Sequence, residues 1–92
     1  MQTTDLNLAA LLIAKGQQLV NAWPEDNGKY IFEFMDDEDV VNLNQEYYLG
    51  RAMINPYEYV IAQKSLKNII RNYKPANLNY VKRTIISKSI QQ

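Results

Sequence analysis

Seven consecutive apolar residues, Leu8 to Ala14, lie within a stretch rich in leucine and alanine, the side chains that lose least on entering a helix. Thr3-Thr4-Asp5 precedes the stretch. Asp5 can cap the first turn and suits the positive end of the helix dipole. Gly16 follows, at the position where a left-handed residue ends a helix. Leu6, Ala9, Ala10 and Ile13 fall on one stripe, but Leu8, Leu11 and Leu12 fill the other sides. A helix that is apolar all round has no face to give to water. Either two layers of this chain enclose it, or a partner does. The run is too short to span a bilayer, which takes about 20 apolar residues. Asp5, and no basic residue, stands ahead of it, so a signal peptide is not expected.

Leu19 to Trp23 and Tyr30 to Met35 read as two strands, the second dense in aromatic and β-branched side chains. Tyr30, Phe32 and Phe34 share one face; Ile31, Glu33 and Met35 share the other. Asn27-Gly28 between the strands is a turn signal, since both residue types tolerate positive φ. A β-hairpin follows. Asp36 or Asp37 caps a second helix with Glu38 and Asp39 in its first turn. Val40, Leu43 and Tyr47 form its apolar stripe, and Gly50 ends it. Ala52 to Ile54 reads as a short third strand. Asn55-Pro56-Tyr57-Glu58 is the clearest helix start in the chain, with Asn as cap, Pro at the first helical position and Glu three residues after the cap. That helix is expected to run to about Tyr73, because Pro75 disfavours helical geometry in the residue before it. Ala62, Leu66, Ile69 and Tyr73 make its buried stripe. In Ala76 to Gln92, Leu78, Val81 and Ile85 would line a helical face, whereas Val81, Thr84, Ile85, Ile86 and Ile90 favour a strand; both stay open. The expected architecture is α+β, with residues 1–74 as one small domain and 75–92 as a docked extension. Within the domain the order is helix, hairpin, helix, short strand, helix. The first and third helices should pack on the sheet.

The chain has no Cys and no His. Disulfides, zinc ribbons, thiol chemistry and the usual general base are thereby excluded, and a cytoplasmic setting is the default. Gly16, Gly28 and Gly50 are the only glycines, too few and too scattered for a phosphate cradle. The formal net charge of zero hides a dipole. Residues 1–50 carry two basic and nine acidic side chains, and residues 51–92 carry eight basic and one acidic. Such asymmetry points either to a basic segment that meets a partner or to two halves that attract each other.

The residues Thr3-Thr4-Asp5-Leu6, Leu8-Ala9-Ala10, Lys15-Gly16, the Asn27-Gly28 turn, Tyr30-Ile31-Phe32-Glu33-Phe34 and Asp36-Asp37 together form a pattern. Tyr47-Tyr48-Leu49-Gly50, Pro56-Tyr57-Glu58 and Ser65-Leu66-Lys67 complete it. Over the first three quarters of its length the chain resembles an uncharacterised family, domain of unknown function 5659. Members of that family look like small proteins of phages, plasmids and other mobile elements in bacteria. The resemblance implies the order helix, hairpin, helix, helix and a mobile-element context. It carries over no catalytic residue.

Three features invite a functional reading. Asp36-Asp37-Glu38-Asp39, with Glu33 on the preceding strand, resembles a divalent-cation or nuclease cluster. It equally fits a solvated helix N-terminus, and that reading is preferred; no metal, cofactor or catalytic residue is expected, and the protein is read as a non-enzyme. Seven tyrosines are present, and those in the basic half could stack on bases, though packing is the commoner use. Lys64, Lys67, Arg71 and Lys74 recur along one helical face, roughly 150° from the apolar stripe. Such a face can track phosphates, with Arg51, Lys82 and Arg83 extending it if the tail folds back. The leading expectation is a small adaptor or regulator that binds another protein, with a homo-oligomer also in view; the alternative is a non-specific nucleic-acid binder using the basic helix. No membrane partner is expected. Leu78, Val81, Ile85, Ile86 and Ile90 are too many large aliphatics to leave in water. Deleting residues 76–92 should therefore lower the melting temperature or change the oligomeric state. Unchanged melts together with unchanged light scattering would make the segment a free appendage.

Overall fold

The fold is that of a computed structural model, which describes residues 1–73. In chain order the elements are β1 (Gln2–Thr3), α1 (Leu6–Ala14), β2 (Leu19–Pro24), β3 (Tyr30–Phe34), α2 (Glu38–Tyr48) and α3 (Pro56–Asn72). The architecture is α+β, as the sequence implies. The reading of the tail as helix or strand, and the positions Lys74, Lys82 and Arg83, lie outside the described residues.

Asp5 caps α1, its Oδ1 accepting from the backbone N–H of Asn7 at 2.9 Å and of Leu8 at 3.2 Å. At the other end Gln17 N donates to Leu12 O, and Gly16 N to Ile13 O. This is the Schellman arrangement, and it needs the positive φ that Gly16 adopts. Gly50 closes α2 in the same way, with Arg51 N donating to Glu46 O and Gly50 N to Tyr47 O. Asp37, rather than Asp36, is the α2 cap, its Oδ1 accepting from Val40 N at 2.9 Å.

The sheet has the order β1-β3-β2 and is antiparallel throughout. Its first strand was not foreseen. Gln2 pairs with Glu33 and Thr3 with Phe32, and Met1 and Phe34 exchange both backbone hydrogen bonds. Two residues are too few for period-two alternation to be visible in a sequence. Conversely, Ala52 to Ile54 is not a strand. Ala52 and Ile54 tuck toward the core with Met53 turned out, but β3 is already flanked on both sides, so the segment finds no ladder there. The free edge of β2 is blunted by a register shift between Leu19 and Asn21, by the Asn21 side chain accepting from Ala22 N, and by Pro24, which has no N–H.

All of Leu8, Ala9, Ala10, Leu11 and Leu12 are buried, none more than 2% exposed. They share one core with Phe32 and Phe34 of the sheet, Val40 of α2, and Ala62 and Leu66 of α3. Of the two environments open to an all-round apolar helix, α1 therefore has the first: layers of its own chain enclose it. The buried stripe of α3 keeps Ala62 and Leu66 of the expected one but not Ile69 or Tyr73, which are both exposed. Tyr59, Ala62, Leu66 and Ile70 face the core, whereas Ile69 is exposed. A step of three and a step of four from Leu66 both fit a helix. Tyr30 lies beside this end of the helix: its hydroxyl donates a long bond (3.4 Å) to the backbone O of Ile70, and its ring and that of Tyr73 meet in a T shape.

The hairpin loop is longer than a two-residue turn. Gly28 N donates to Glu25 O, Glu25 N to Lys29 O, and the Asn27 side chain accepts from Lys29 N. Gly28 has φ +86°, and nothing lies within 4 Å of where its Cβ would stand. Any penalty for Gly28→Val is therefore backbone strain alone, about 1–2 kcal/mol. We expect the melting temperature to fall by roughly 4–15 °C in a domain of this size. Gly28→Asn should keep most of it, because asparagine tolerates that region. Equal melts for the wild type and the valine variant would mean that the turn does not hold the hairpin.

Candidate interaction surface

The longest helix, α3, starts where its sequence says it should. Asn55 Oδ1 accepts from Tyr57 N at 2.9 Å and Glu58 N at 3.2 Å, and Pro56 occupies the first turn. With Tyr59, Ala62, Leu66 and Ile70 turned to α1, the opposite face carries Tyr57, Val60 and Ile61 in its first half and Lys64, Lys67 and Arg71 in its second. All six are exposed. One solvent face is thus apolar toward the N-terminus and basic toward the C-terminus.

The apolar half continues off the helix. Tyr48 and Leu49, at the end of α2, are exposed, and so are Met53 at 79% and Tyr57 at 73%. These exposed apolar residues follow one another in sequence around the α2–α3 connection, here called the elbow. A monomeric protein rarely leaves such a cluster in water without use for it. Sequence reasoning did not single out this feature, although a signal was present. Tyr57, Val60 and Ile61 fall off the Ala62–Leu66 stripe, so α3 is apolar on two sides in its first half and on one in its second.

Three of the seven expected site residues, Lys64, Lys67 and Arg71, come together on the exposed face of α3. Arg71 Nη1 donates to Asn68 Oδ1 at 2.8 Å, which holds the guanidinium along the helix surface. No ion pair joins these cations to Asp36–Asp39 among the described residues. Arg51 is exposed too, but it sits beyond the N-terminal end of α3. The apolar Tyr57, Val60 and Ile61 lie between it and Lys64. Lys74, Lys82 and Arg83 are outside the described residues.

The acidic run has local duties. Asp36 Oδ1 lies 2.6 Å from the Met1 amino group, Asp37 caps α2, and Glu38 and Asp39 occupy the first turn, where the helix dipole favours them. Among the described residues no group of three or more Asp, Glu, His or Cys is placed to hold a metal ion. An open polar depression of about 380 Å³ is lined by Gln2, Thr3, Thr4, Glu25 and Ile31, and a second of about 280 Å³ by Lys15, Gln17, Asp39, Asn42, Leu43 and Glu46. Among the described residues no helix is long and apolar enough to cross a membrane.

The elbow is tied to the core through Tyr47. Its hydroxyl donates to Asp5 Oδ2 at 2.9 Å while Asp5 Oδ1 caps α1, so one carboxylate joins the start of α1 to the end of α2. The Tyr47 ring also meets Tyr48 edge-on at 5.2 Å. Burial, then the hydrogen bond to Asp5, push the Tyr47 hydroxyl up to about 12. The folded state thus holds this proton more tightly than the unfolded chain, whose tyrosine titrates near 10. The contribution is complete below pH 10 and is lost as the pH rises toward 12. Tyr47→Phe should lower stability at pH 7 by about 1 kcal/mol and flatten the fall between pH 10 and 12 in denaturant melts. A variant with the wild-type alkaline slope would show that Tyr47 is not the group responsible.

No curated protein and no solved structure matches the chain. Residues 1–73, the whole of the described fold from β1 to the end of α3, match the family described as Domain of unknown function (DUF5659). With most of its length covered, the chain belongs to that family.

Proposed function

We propose that this chain is a non-enzymatic adaptor or regulator, of phage or mobile-element type, that acts in the cytoplasm by binding protein through the α2–α3 elbow. The supporting observation is the exposed apolar cluster of Leu49, Met53, Tyr57, Val60 and Ile61. Aromatic and long aliphatic side chains of this kind are the anchors of protein interfaces. The apolar character of α1, which the sequence alone offers as an argument for a partner, no longer counts toward it, because α1 is satisfied within the chain. The elbow takes its place. A second reading, non-specific nucleic-acid binding, is favoured by the exposed Lys64, Lys67 and Arg71, with Lys74 following in sequence.

A photo-crosslinking side chain at Met53, installed in the native host, tests both readings. We expect discrete protein adducts that are absent when the same group replaces Asp26 in the exposed hairpin turn. Absence of protein adducts at position 53 overturns the adaptor reading. Nucleic-acid binding predicts instead an affinity whose logarithm falls against log salt with a slope of roughly −2 to −4, for three or four phosphate contacts. Lys67→Glu with Arg71→Glu should abolish it with only a small fall in the melt, since Arg71 lies in the last turn of α3. No binding to any oligonucleotide at low salt removes that reading.

A further inference from the structure

The outward stripe of α2 runs Glu38, Val41, Gln45, Tyr48, at helical spacings of three, four and three, and every member is exposed. Tyr48 stands at the elbow end and Glu38 at the far end, with Gln45 and Val41 between them. The outward stripe of α3 runs Tyr57, Ile61, Lys64, with Lys67 beside it. It is apolar at the elbow and basic at its far end. At 1.5 Å per residue, Glu38 stands about 15 Å from Tyr48 along α2, and Lys67 about 15 Å from Tyr57 along α3. Glu38 and Lys67 thus stand at equal distances from the elbow along their helices and oppose in charge.

Resting on the reading of the elbow as a protein-docking surface, we infer that its partner is a second copy of this chain. α2 of one copy lies along α3 of the other, about a two-fold axis at the elbow. A two-fold makes the contact self-complementary, so each residue contributes twice. Tyr48, Leu49, Met53 and Tyr57 of both copies gather near the axis, where they leave water. Glu38 of each copy approaches Lys64 and Lys67 of the other at the rim. The rim charges set orientation and association rate, and the apolar centre supplies most of the affinity. The edge of β2 does not compete for this role, since its register shift, its Asn21 contact and Pro24 blunt it against strand addition.

Sedimentation equilibrium of the full-length chain, from micromolar to millimolar concentration, tests the inference. The mass should rise with concentration from 10.7 kDa toward twice that value, and less steeply at high salt. Lys64→Glu with Lys67→Glu makes both arms acidic, and Glu38→Lys with Gln45→Lys makes both basic. All four positions are exposed, so the acidic variant should melt near wild type, and the basic one should lose only the small dipole contribution of Glu38 in the first turn of α2. Each double variant alone should associate about tenfold more weakly or worse. An equimolar mixture of the two should recover wild-type association, because both arm-to-arm contacts are then opposite in charge. A chain that is monomeric throughout overturns the inference. So does a dimer that neither variant weakens, or a mixture that fails to recover. Protein adducts at Met53 that contain only other proteins, alongside a monomeric chain, would overturn self-association while leaving the docking reading in place.

Discussion

Burial of the middle of α1 on every side is the constraint on which the other elements depend. Five consecutive residues, Leu8 to Leu12, are lost to water on every side of the helix. No single layer can do that. The Phe32 and Phe34 face of the sheet covers one side, Ala62 and Leu66 of α3 another, and Val40 of α2 helps close the remainder. Each fully buried leucine is worth about 1.5–3 kcal/mol of transfer free energy. That gives the hairpin, α2 and α3 a common reason to be where they are. The elements have little independent stability: a hairpin alone is marginal, and an isolated helix of 17 residues is barely beyond the length at which helices persist in water.

Polar groups fix the geometry that burial leaves loose. Asp5 caps α1 with one oxygen and takes the Tyr47 hydroxyl on the other, which sets the end of α2 against the beginning of α1. Tyr30 sets α3 in the same manner from the sheet, through Ile70 O and the ring of Tyr73. Two tyrosines thus anchor the two later helices by the polar tips of rings whose bodies lie against the core, a use suited to a side chain that is apolar along its length. The Schellman ends at Gly16 and Gly50 then turn the chain sharply enough for short connections.

What could be read from the sequence is what local chemistry encodes. The caps at Asp5, Asp37 and Asn55, the stops at Gly16 and Gly50, and the alternation in Tyr30 to Phe34 each depend on residues within a few positions, and each is where the sequence puts it. The failures are tertiary. β1 exists because β3 has a free edge beside Met1 to Thr3, which no local pattern announces. Ala52 to Ile54 alternates as a strand would, but it pairs with no strand of the sheet. Ile70 rather than Ile69 turns to the core, a choice between steps of three and four that helix periodicity leaves open. The elbow was hidden for a related reason. Apolar residues are read by default as core, and only the packing of α1 against one side of α3 shows that Tyr57, Val60 and Ile61 are on the other.

The separation of charge between the halves divides into a part that local electrostatics explains and a part that it does not. Glu38 and Asp39 lie in the first turn of α2 and Arg71 in the last turn of α3, positions where a helix dipole favours those signs. Asp5 and Asp37 cap, and Asp36 meets an amino group. The dipole effect fades beyond the terminal turns, and Lys64 and Lys67 lie in the middle of α3, exposed, with no ion pair among the described residues. Stability does not require them there: neutral polar side chains would solvate that face as well, and exposed pairs contribute little in any case. These two lysines are the charges that the fold leaves unexplained. They adjoin the apolar elbow on the same helix face, so the proposed docking surface has to account for both: its apolar centre would hold the partner, and its basic rim would orient it.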